Sequence, residues 1–297
     1  MLEPNDAGDP SEQAAGLRRS MSRRPVQVVA VTGGKGGVGK TNVSANLGIA
    51  LSRLGRRVML LDADLGLANL DVLLGLQPQG TLAEVLDGER SLDDILVRGP
   101  AGITVVPGAS GMRRYAALDA RRQAGLVAAF GGVGRDVDAL IIDTAAGIGD
   151  PVLGFCQAAQ RVLVVVCDEP TAMTDAYALI KVLSREYGVR DFDLLASMTR
   201  SADEGPELHR KLLRVTDRFL DVRLGYAGAI PHDERLREAV RRQEAVMEAY
   251  PASRAARAFD ALARHVAAWP VPEQPRGHVE FFLERLLAAG RTERKLQ

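Results

Sequence analysis

The sequence predicts a single α/β domain with a doubly wound, mostly parallel sheet and helices on both faces. Short apolar runs alternate along the chain with stretches that place an apolar residue every three or four positions. This alternation is typical of buried parallel strands joined by helices. Short polar sequences follow four of the runs, after Thr32 and at Asp62, Asp143 and Pro231. Because the carboxyl ends of parallel strands share one edge of a sheet, we expect a composite ligand site there.

The predicted elements form one long domain between two terminal segments. The first strand, "QVVAVT", is apolar at nearly every position and stops at glycines, and the first helix carries an apolar stripe through Val43, Leu47 and Leu51. Strands are predicted at 27–32, 57–62, 103–107, 139–143, 161–168, 193–198 and 226–231. Helices are predicted at 41–54, 119–130, 150–159, 171–187 and 205–221, with two more in the tail 251–297 on either side of 269–277. The domains are a polar leader with one short helix at 1–25, the main domain at 26–270, and an amphipathic helix and tail at 271–297.

Composition excludes several classes of protein. The 297 residues are 46% hydrophobic, which suffices for a sizeable core. Lysine and arginine together number 38, as do aspartate and glutamate, so there is no basic surplus and we expect no direct nucleic-acid binding. No apolar run approaches the roughly 20 residues of a membrane span, and the leader has no apolar signal core. We expect a cytoplasmic protein whose two cysteines, Cys156 and Cys167, are buried thiols.

One glycine-rich stretch, "VTGGKGGVGKTN", contains the pattern G-x-x-x-x-G-K-[ST] between a predicted strand and a predicted helix. Glycines let backbone N–H groups approach phosphate oxygens, the lysine reaches the β and γ phosphates, and the hydroxyl binds Mg²⁺. The predicted nucleotide-binding residues of this loop are Gly34, Lys35, Gly36, Gly37, Val38, Gly39, Lys40, Thr41 and Asn42.

The loop has two lysines, although a phosphate-binding loop needs one. Lys40 occupies the position of the phosphate-binding lysine, next to Thr41. Lys35 lies five residues earlier. It is either a solvated lysine on an exposed turn or a second cation beside the phosphates, where a positive charge would be useful.

Three aspartates follow predicted strands. Asp62 and Asp64 lie two residues apart at the end of one strand, and Asp143 ends another, "ALIID". A phosphoryl-transfer site needs carboxylates near Mg²⁺ and near the attacking water. Helix capping and turn formation are the alternative roles for these aspartates.

The stretch "KGGVGKT" resembles the deviant Walker A motif of the MinD/ParA ATPases. The resemblance implies ATP and Mg²⁺ as ligands and an ATP-dependent homodimer. Lys40 would bind phosphates in its own subunit, and Lys35 would reach the nucleotide of the partner subunit. Thr41 would hold Mg²⁺, Asp62 would be an outer Mg²⁺ ligand, and Asp64 would position the attacking water.

The resemblance extends to the second switch and to the base. It implies that Asp143 reaches Mg²⁺ through water and that the backbone N–H of Gly147 contacts the γ-phosphate. The family usually reads adenine with an asparagine at the end of a late strand, where this chain has Ser197. Pro231 and Asp233 in "IPHDE" would form the other wall of the base pocket.

Longer phrases, such as "VMLLDADLGLANLDVLLG" and "RGHVEFFLERLL", resemble the flagellar-number regulators of the FleN and FlhG type. These ATPases bind the flagellar master transcription activator, FleQ. The leader resembles an element that docks on the flagellar SRP-type GTPase FlhF and stimulates it, which would make Gln13 the stimulating residue. The apolar face of 277–290 implies peripheral membrane contact at the inner membrane face or cell pole, or packing on the domain. A division-site MinD protein and a ParA-type DNA-partition ATPase are the alternatives.

Overall fold

The fold is organised around one eight-stranded sheet, within the residues that the computed structural model describes: 26–64, 69–108 and 137–270. The strands are β1 (Gln27–Thr32), β2 (Val58–Ala63), β3 (Val97–Arg98), β4 (Thr104–Val106), β5 (Ala139–Thr144), β6 (Arg161–Val166), β7 (Asp191–Thr199) and β8 (Arg223–Pro231). Their order is β3-β4-β2-β5-β1-β6-β7-β8, and every neighbouring pair is parallel except β3 and β4. The predicted doubly wound, mostly parallel sheet is confirmed.

The central strands are apolar because helices cover both of their faces. Strands β1, β2 and β5 are buried at all six positions, which explains why their sequences read as continuous apolar runs rather than alternating ones. The helices are α1 (Lys40–Arg53), α2 (Leu70–Leu73), α3 (Leu82–Leu86), α4 (Leu92–Ile95), α5 (Asp150–Ala158), α6 (Pro170–Tyr187), α7 (Glu204–Phe219), α8 (Glu234–Arg241), α9 (Val246–Ala249) and α10 (Arg254–Ala267), with a 3₁₀ turn at Pro100–Gly102.

Two strands begin earlier than predicted. β7 begins at Asp191 and β8 at Arg223, whereas the sequence predicted starts at 193 and 226. A Cβ at Gly225 would lie 2.3 Å from Oδ1 of the buried Asp193. Gly225 thus pairs with Asp193 inside the sheet, although it lies outside the strand that the sequence predicted at 226–231. The predicted helix at 119–130, the leader and the second tail helix lie outside the described residues.

The two ends of the described domain meet at one edge of the sheet. Gln27, at the start of β1, donates a hydrogen bond from Nε2 to the carbonyl of Val266, near the end of α10, at 2.8 Å. Trp269 lies against Arg161, at the start of β6, with 4.7 Å between the guanidinium carbon and the ring centroid. Residues 26 and 270 therefore lie at the amino ends of the strands. No helix in the described ranges is both long and apolar enough to cross a membrane.

Candidate nucleotide and magnesium site

The loop between β1 and α1 is shaped by its glycines. Gly37 and Gly39 have φ of 79° and 92°, in the left-handed region where a side chain would be strained. A Cβ at Gly34 would lie 2.3 Å from the carbonyl carbon of Asp175 in α6, so the loop lies directly against that helix. A Cβ at Gly36 or Gly37 would meet nothing within 4 Å. The outer side of the loop is therefore open, which fits a phosphate group held by backbone amides and the start of α1.

Lys40 lies at the buried centre of the site. Burial lowers the pKa of its ammonium, and the negative charges of Asp143 and Asp64 oppose that effect. The two carboxylates that act on it are thus Asp143, predicted to reach Mg²⁺ through water, and Asp64, predicted to position the attacking water. The sequence placed these residues on three separate segments, and the fold brings them together.

Asp62 and Asp143 are register partners on the adjacent strands β2 and β5. Asp143 Oδ1 accepts a hydrogen bond from Ser44 Oγ at 2.8 Å, and the Thr41 side chain also hydrogen-bonds this carboxylate. Burial nevertheless raises the pKa of Asp143 to about 7. A carboxylate that is linked to the Thr41 hydroxyl and lacks a close arginine suits the outer shell of a Mg²⁺ ion bound through that hydroxyl.

Asp62 braces the segment that follows β2. Its Oδ1 accepts from the backbone N–H of Asp64 at 3.1 Å, and its Oδ2 accepts from those of Asn69 and Leu70 at 3.0 and 3.1 Å. Burial, the largest effect, raises its pKa to about 6 against these three hydrogen bonds. The capping role that the sequence left open is therefore present, and it positions Asp64. The role of Asp62 as an outer Mg²⁺ ligand stays a prediction.

Lys35 is held at the protein surface by α6 of its own chain. Its ammonium contacts the Glu169 carboxylate and lies 3.0 Å from Thr171 Oγ1. The hydrogen bond to Glu169 is the main reason that its pKa is raised. Both side chains of the pair are partly exposed, at 37% for Lys35 and 55% for Glu169. In a single chain, the second lysine therefore has a partner that a dimer would have to replace.

Gly147 adopts a φ of 96°, and its N–H donates to the carbonyl of Gly33 at 3.1 Å. The amide predicted to contact the γ-phosphate is thus bonded to the phosphate loop itself. The neighbouring Ile148 is 50% exposed. A γ-phosphate would have to take this amide from Gly33, which would couple the loop to the segment after β5.

The predicted base-pocket residues share one cavity of about 640 Å³. Ser197, Pro231 and Asp233 line it together with Gly39 and Asn42 of the loop and α1. Residues from β7, β8 and the phosphate loop thus converge at one place, as a nucleotide requires. The contacts that each would make with a base remain predictions.

Asp233 has a structural role in this wall. Its Oδ1 accepts from the N–H of Arg235 and its Oδ2 from the N–H of Ala255, both at 2.9 Å. Burial alone would raise its pKa, but these backbone hydrogen bonds outweigh it and the pKa is lowered. Asp233 therefore joins the starts of α8 and α10 and fixes the shape of the pocket.

The described residues fit a Mg²⁺–nucleotide pair rather than a metal held by protein alone. Within 26–64, 69–108 and 137–270, no three His, Cys, Asp or Glu side chains group as a metal site. Mg²⁺ keeps several waters and takes oxygens from phosphates, so it needs only one or two protein groups. Thr41, with Asp143 hydrogen-bonded to it, would supply such a set.

Sequence reasoning missed three residues at this site. Ser44 follows Lys40 by one helical turn, and this spacing would have placed it on the face toward Asp143. Glu169 comes shortly after β6, just as the other site residues come shortly after their strands, and this position in the sequence could have identified it. Met198 lines the pocket, but only because of a local irregularity in β7 that no sequence pattern indicates.

Comparison with known proteins agrees with this geometry. Residues 29–246 match the model of the CobQ/CobB/MinD/ParA nucleotide-binding domain. The chain belongs to the MinD/ParA family of nucleotide-binding proteins. Antiactivator FleN of Pseudomonas aeruginosa is 58% identical over 271 residues, which cover 91% of this chain and 97% of that protein. Flagellum site-determining protein YlxH of Helicobacter pylori is 32% identical over 263 residues, covering 87% and 89% of the two chains.

The fold agrees with that of solved MinD proteins. The septum site-determining protein MinD of Pyrococcus horikoshii, complexed with Mg-ADP, superposes with a TM-score of 0.65 at 27% identity, covering 82% of this chain and 96% of that one. The resemblance to MinD/ParA ATPases and to FleN is thus confirmed. This chain is a MinD/ParA-type ATPase, and ATP and Mg²⁺ are its ligands.

Proposed function

We propose that this ATPase is a nucleotide-gated switch that limits flagellar gene expression or placement by binding a flagellar transcription activator. ATP would be enclosed between two copies of the chain, and the dimer would be the form that binds the FleQ-like activator. The names of the two relatives, an antiactivator and a flagellum site-determining protein, support the flagellar branch over a division-site or DNA-partition role.

The observation that carries the proposal is the position of Lys35. Lys40 is buried and would supply the phosphate-binding cation of its own subunit, whereas Lys35 lies at the surface and is paired with the exposed Glu169. Exposed ion pairs contribute little to stability, because water and salt screen them. Lys35 can therefore leave Glu169 for the phosphates of a partner subunit at small cost.

Hydrolysis would use the carboxylate of Asp64 to orient the attacking water. Asp62 holds the Asp64 backbone by a hydrogen bond of 3.1 Å, and the charge of Asp64 acts on Lys40. With ATP bound, the Gly147 N–H would donate its hydrogen bond to the γ-phosphate instead of to Gly33. This change would move the exposed segment around Ile148. Loss of that phosphate on hydrolysis would reverse the change and open the dimer.

Lys35→Ala and Lys40→Ala separate the two lysines. With ATP and Mg²⁺, light scattering after size exclusion should show a wild-type dimer. Lys35→Ala should bind ATP but stay monomeric, and Lys40→Ala should lose both properties. Normal dimerisation of Lys35→Ala would remove the main support for the switch.

Glu169→Gln tests the Lys35–Glu169 ion pair by removing the charge of the glutamate instead of the lysine. Freed from this charge, Lys35 should reach the partner more readily, so dimerisation should need several-fold less ATP. Glu248→Gln is the matched control, because Glu248 is also an exposed, ion-paired glutamate, bonded to Arg53 at 2.9 Å. An unchanged ATP requirement in Glu169→Gln would mean that this contact does not restrain the lysine.

The activator itself is the most direct partner test. Purified chain with ATP should bind a FleQ-like activator and lower its ATPase activity, and Lys35→Ala should do neither. Binding to nonspecific DNA that weakens steeply with salt, without binding to the activator, would favour the partition role instead.

The terminal segments supply two further proposed contacts. Both ends of the described domain lie at the edge away from the phosphate loop, so the leader with Gln13 and the segment 271–297 would start from that edge. Deleting 1–20 should abolish stimulation of an FlhF-like GTPase and spare ATP binding. Truncation to 1–276 should abolish ATP-dependent sedimentation with liposomes, and equal sedimentation of both forms would remove membrane contact.

A further inference from the structure

The carboxyl end of β7 breaks the alternation of a regular strand. Consecutive strand residues normally face opposite sides of the sheet, yet Ser197 and Met198 both line the nucleotide pocket. The pairing of β7 with β8 shifts between Ser197 and Thr199, and Met198 has a φ of 59°. This bulge brings Met198 to the side of the sheet end that faces the pocket.

The bulge places a strained residue at the mouth of the pocket. A left-handed conformation is unfavourable for methionine and free of that penalty for glycine. Met198 is 43% exposed, so packing of its side chain in the protein core does not offset the backbone strain. Its Cε lies 3.8 Å from the point where a Cβ on Gly39 would be, which puts the thioether beside the phosphate loop. Strain of this kind is typical of ligand-contacting positions.

At the position of Ser197 the edge of the base would meet a single hydroxyl. Adenine presents a donor and an acceptor on its N6/N7 edge, which one asparagine can bind at once, whereas guanine presents two acceptors there. Ser197 has a single hydroxyl that both donates and accepts. It can serve either base with one hydrogen bond. Six of the remaining lining residues are apolar: Val43, Ile230, Pro231, Leu236, Val240 and Phe259.

We propose that Met198 holds the nucleotide base through its ring face, and that the pocket admits guanine as well as adenine, so that the chain binds and hydrolyses GTP besides ATP. Thioethers pack favourably against flat aromatic rings and adapt to their outline. A ring face is common to both purines, whereas an edge is not. This inference rests on the ATP binding of the proposed function, with the base in the pocket that Ser197 and Pro231 line.

Met198→Gly removes the side chain and keeps the backbone. Titration calorimetry with non-hydrolysable ATP and GTP analogues should show that both bind about tenfold more weakly to this variant, while its melting temperature does not fall. Ala101→Gly is the matched control, because Ala101 also has a positive φ, of 53°, in the turn before β4. It should bind both analogues as the wild type does. Unchanged affinities in Met198→Gly would overturn the role of Met198.

The selectivity has its own measurement. The wild-type chain should bind the two analogues within about tenfold of each other, and Ser197→Asn, checked for a normal melting curve, should widen the preference for adenine by about 5- to 150-fold, the range of a paired contact. A wild-type preference for ATP larger than tenfold would overturn the inference.

Labelling with 8-azido-ATP followed by peptide mapping tests the base position separately. Labels within 197–199 or 230–241 place the base in the pocket, and labels only elsewhere would refute that placement and the inference with it.

Discussion

The two edges of the sheet hold their aspartates in opposite ways. At the nucleotide edge, where the strands end, Asp62 and Asp143 are held by backbone N–H groups and hydroxyls, and burial raises their pKa to about 6 and about 7. At the opposite edge, where the strands begin, Asp138 and Asp191 are paired with arginines that lower their pKa.

The arginine pairs are geometrically complete. Arg57 donates to Asp138 through its backbone at 2.9 Å and its guanidinium at 3.0 Å, and Arg223 donates from Nη2 to Asp191 at 2.7 Å. The opposite edge also has a buried carboxylate, Asp193, whose pKa is raised by burial although Arg161 opposes this. Asp143 is thus held by hydroxyls with the charge of Lys40 nearby, whereas the arginines of the opposite edge bind their carboxylates directly.

Asp143→Asn should show the largest difference between the edges. ATP hydrolysis should fall by roughly 100-fold, because the Mg²⁺ outer shell is lost. The melting temperature of the metal-free protein at pH 8 should rise by a few degrees, because a buried charge has been removed. Asp138→Asn should do the reverse, with normal hydrolysis and lower stability. Equal hydrolysis in both variants would mean that the two edges do not differ in function.

The stability of the metal-free protein should fall as pH rises from about 4 to 7. In this window folded Asp143 keeps a proton that the unfolded chain, with an ordinary pKa of 3.8 for this group, has released. The folded state binds more protons, so raising the pH disfavours it. Thermal melts in EDTA should show this slope, and Asp143→Asn should flatten it. Asp138, whose pKa is lowered, should act with the opposite sign, losing its contribution only as the pH falls below about 4.

Ser44→Ala and Ser52→Ala each remove one hydroxyl of α1, Ser44 at the nucleotide edge and Ser52 toward the opposite edge. Ser44 Oγ donates to Asp143, so its loss should raise the pKa of Asp143 further and require about tenfold more Mg²⁺ for half-maximal hydrolysis. Ser52 Oγ donates to the carbonyl of Ala101 at 2.7 Å. Its loss should cost about 1 kcal/mol of unfolding free energy and leave the Mg²⁺ requirement unchanged. The check is ATP hydrolysis by both variants as a function of Mg²⁺ concentration. Identical curves for the two variants would contradict the role of Ser44.

Arg223→Ala should have the smallest effect. Arg223 is 80% exposed in its pair with Asp191, and solvent screens such pairs. The melting temperature should change by less than about 2 °C, less still at high salt, with ATPase activity intact. A loss of activity would show that the opposite edge is coupled to the nucleotide site.

Much of the nucleotide edge could be predicted from the chain alone. The phosphate loop depends on residues that are close in sequence, so Lys40 and Thr41 were identifiable by spacing. Asp62 and Asp143 were identifiable because each ends an apolar run, and parallel strands must end at one edge. The early start of β8 was not, because a glycine at 225 fits the strand only where it lies against Asp193 of β7.

What the sequence by itself determined was the fold class, the family and the position of the loop, since these depend on apolar periodicity and local motifs. The tertiary structure decided which partner each side chain has. Lys35 meets Glu169, Asp143 meets Ser44, and Met198 turns into the pocket through a bulge in β7. These pairings join segments far apart in the chain, and no local pattern encodes them, because each depends on how strands and helices pack.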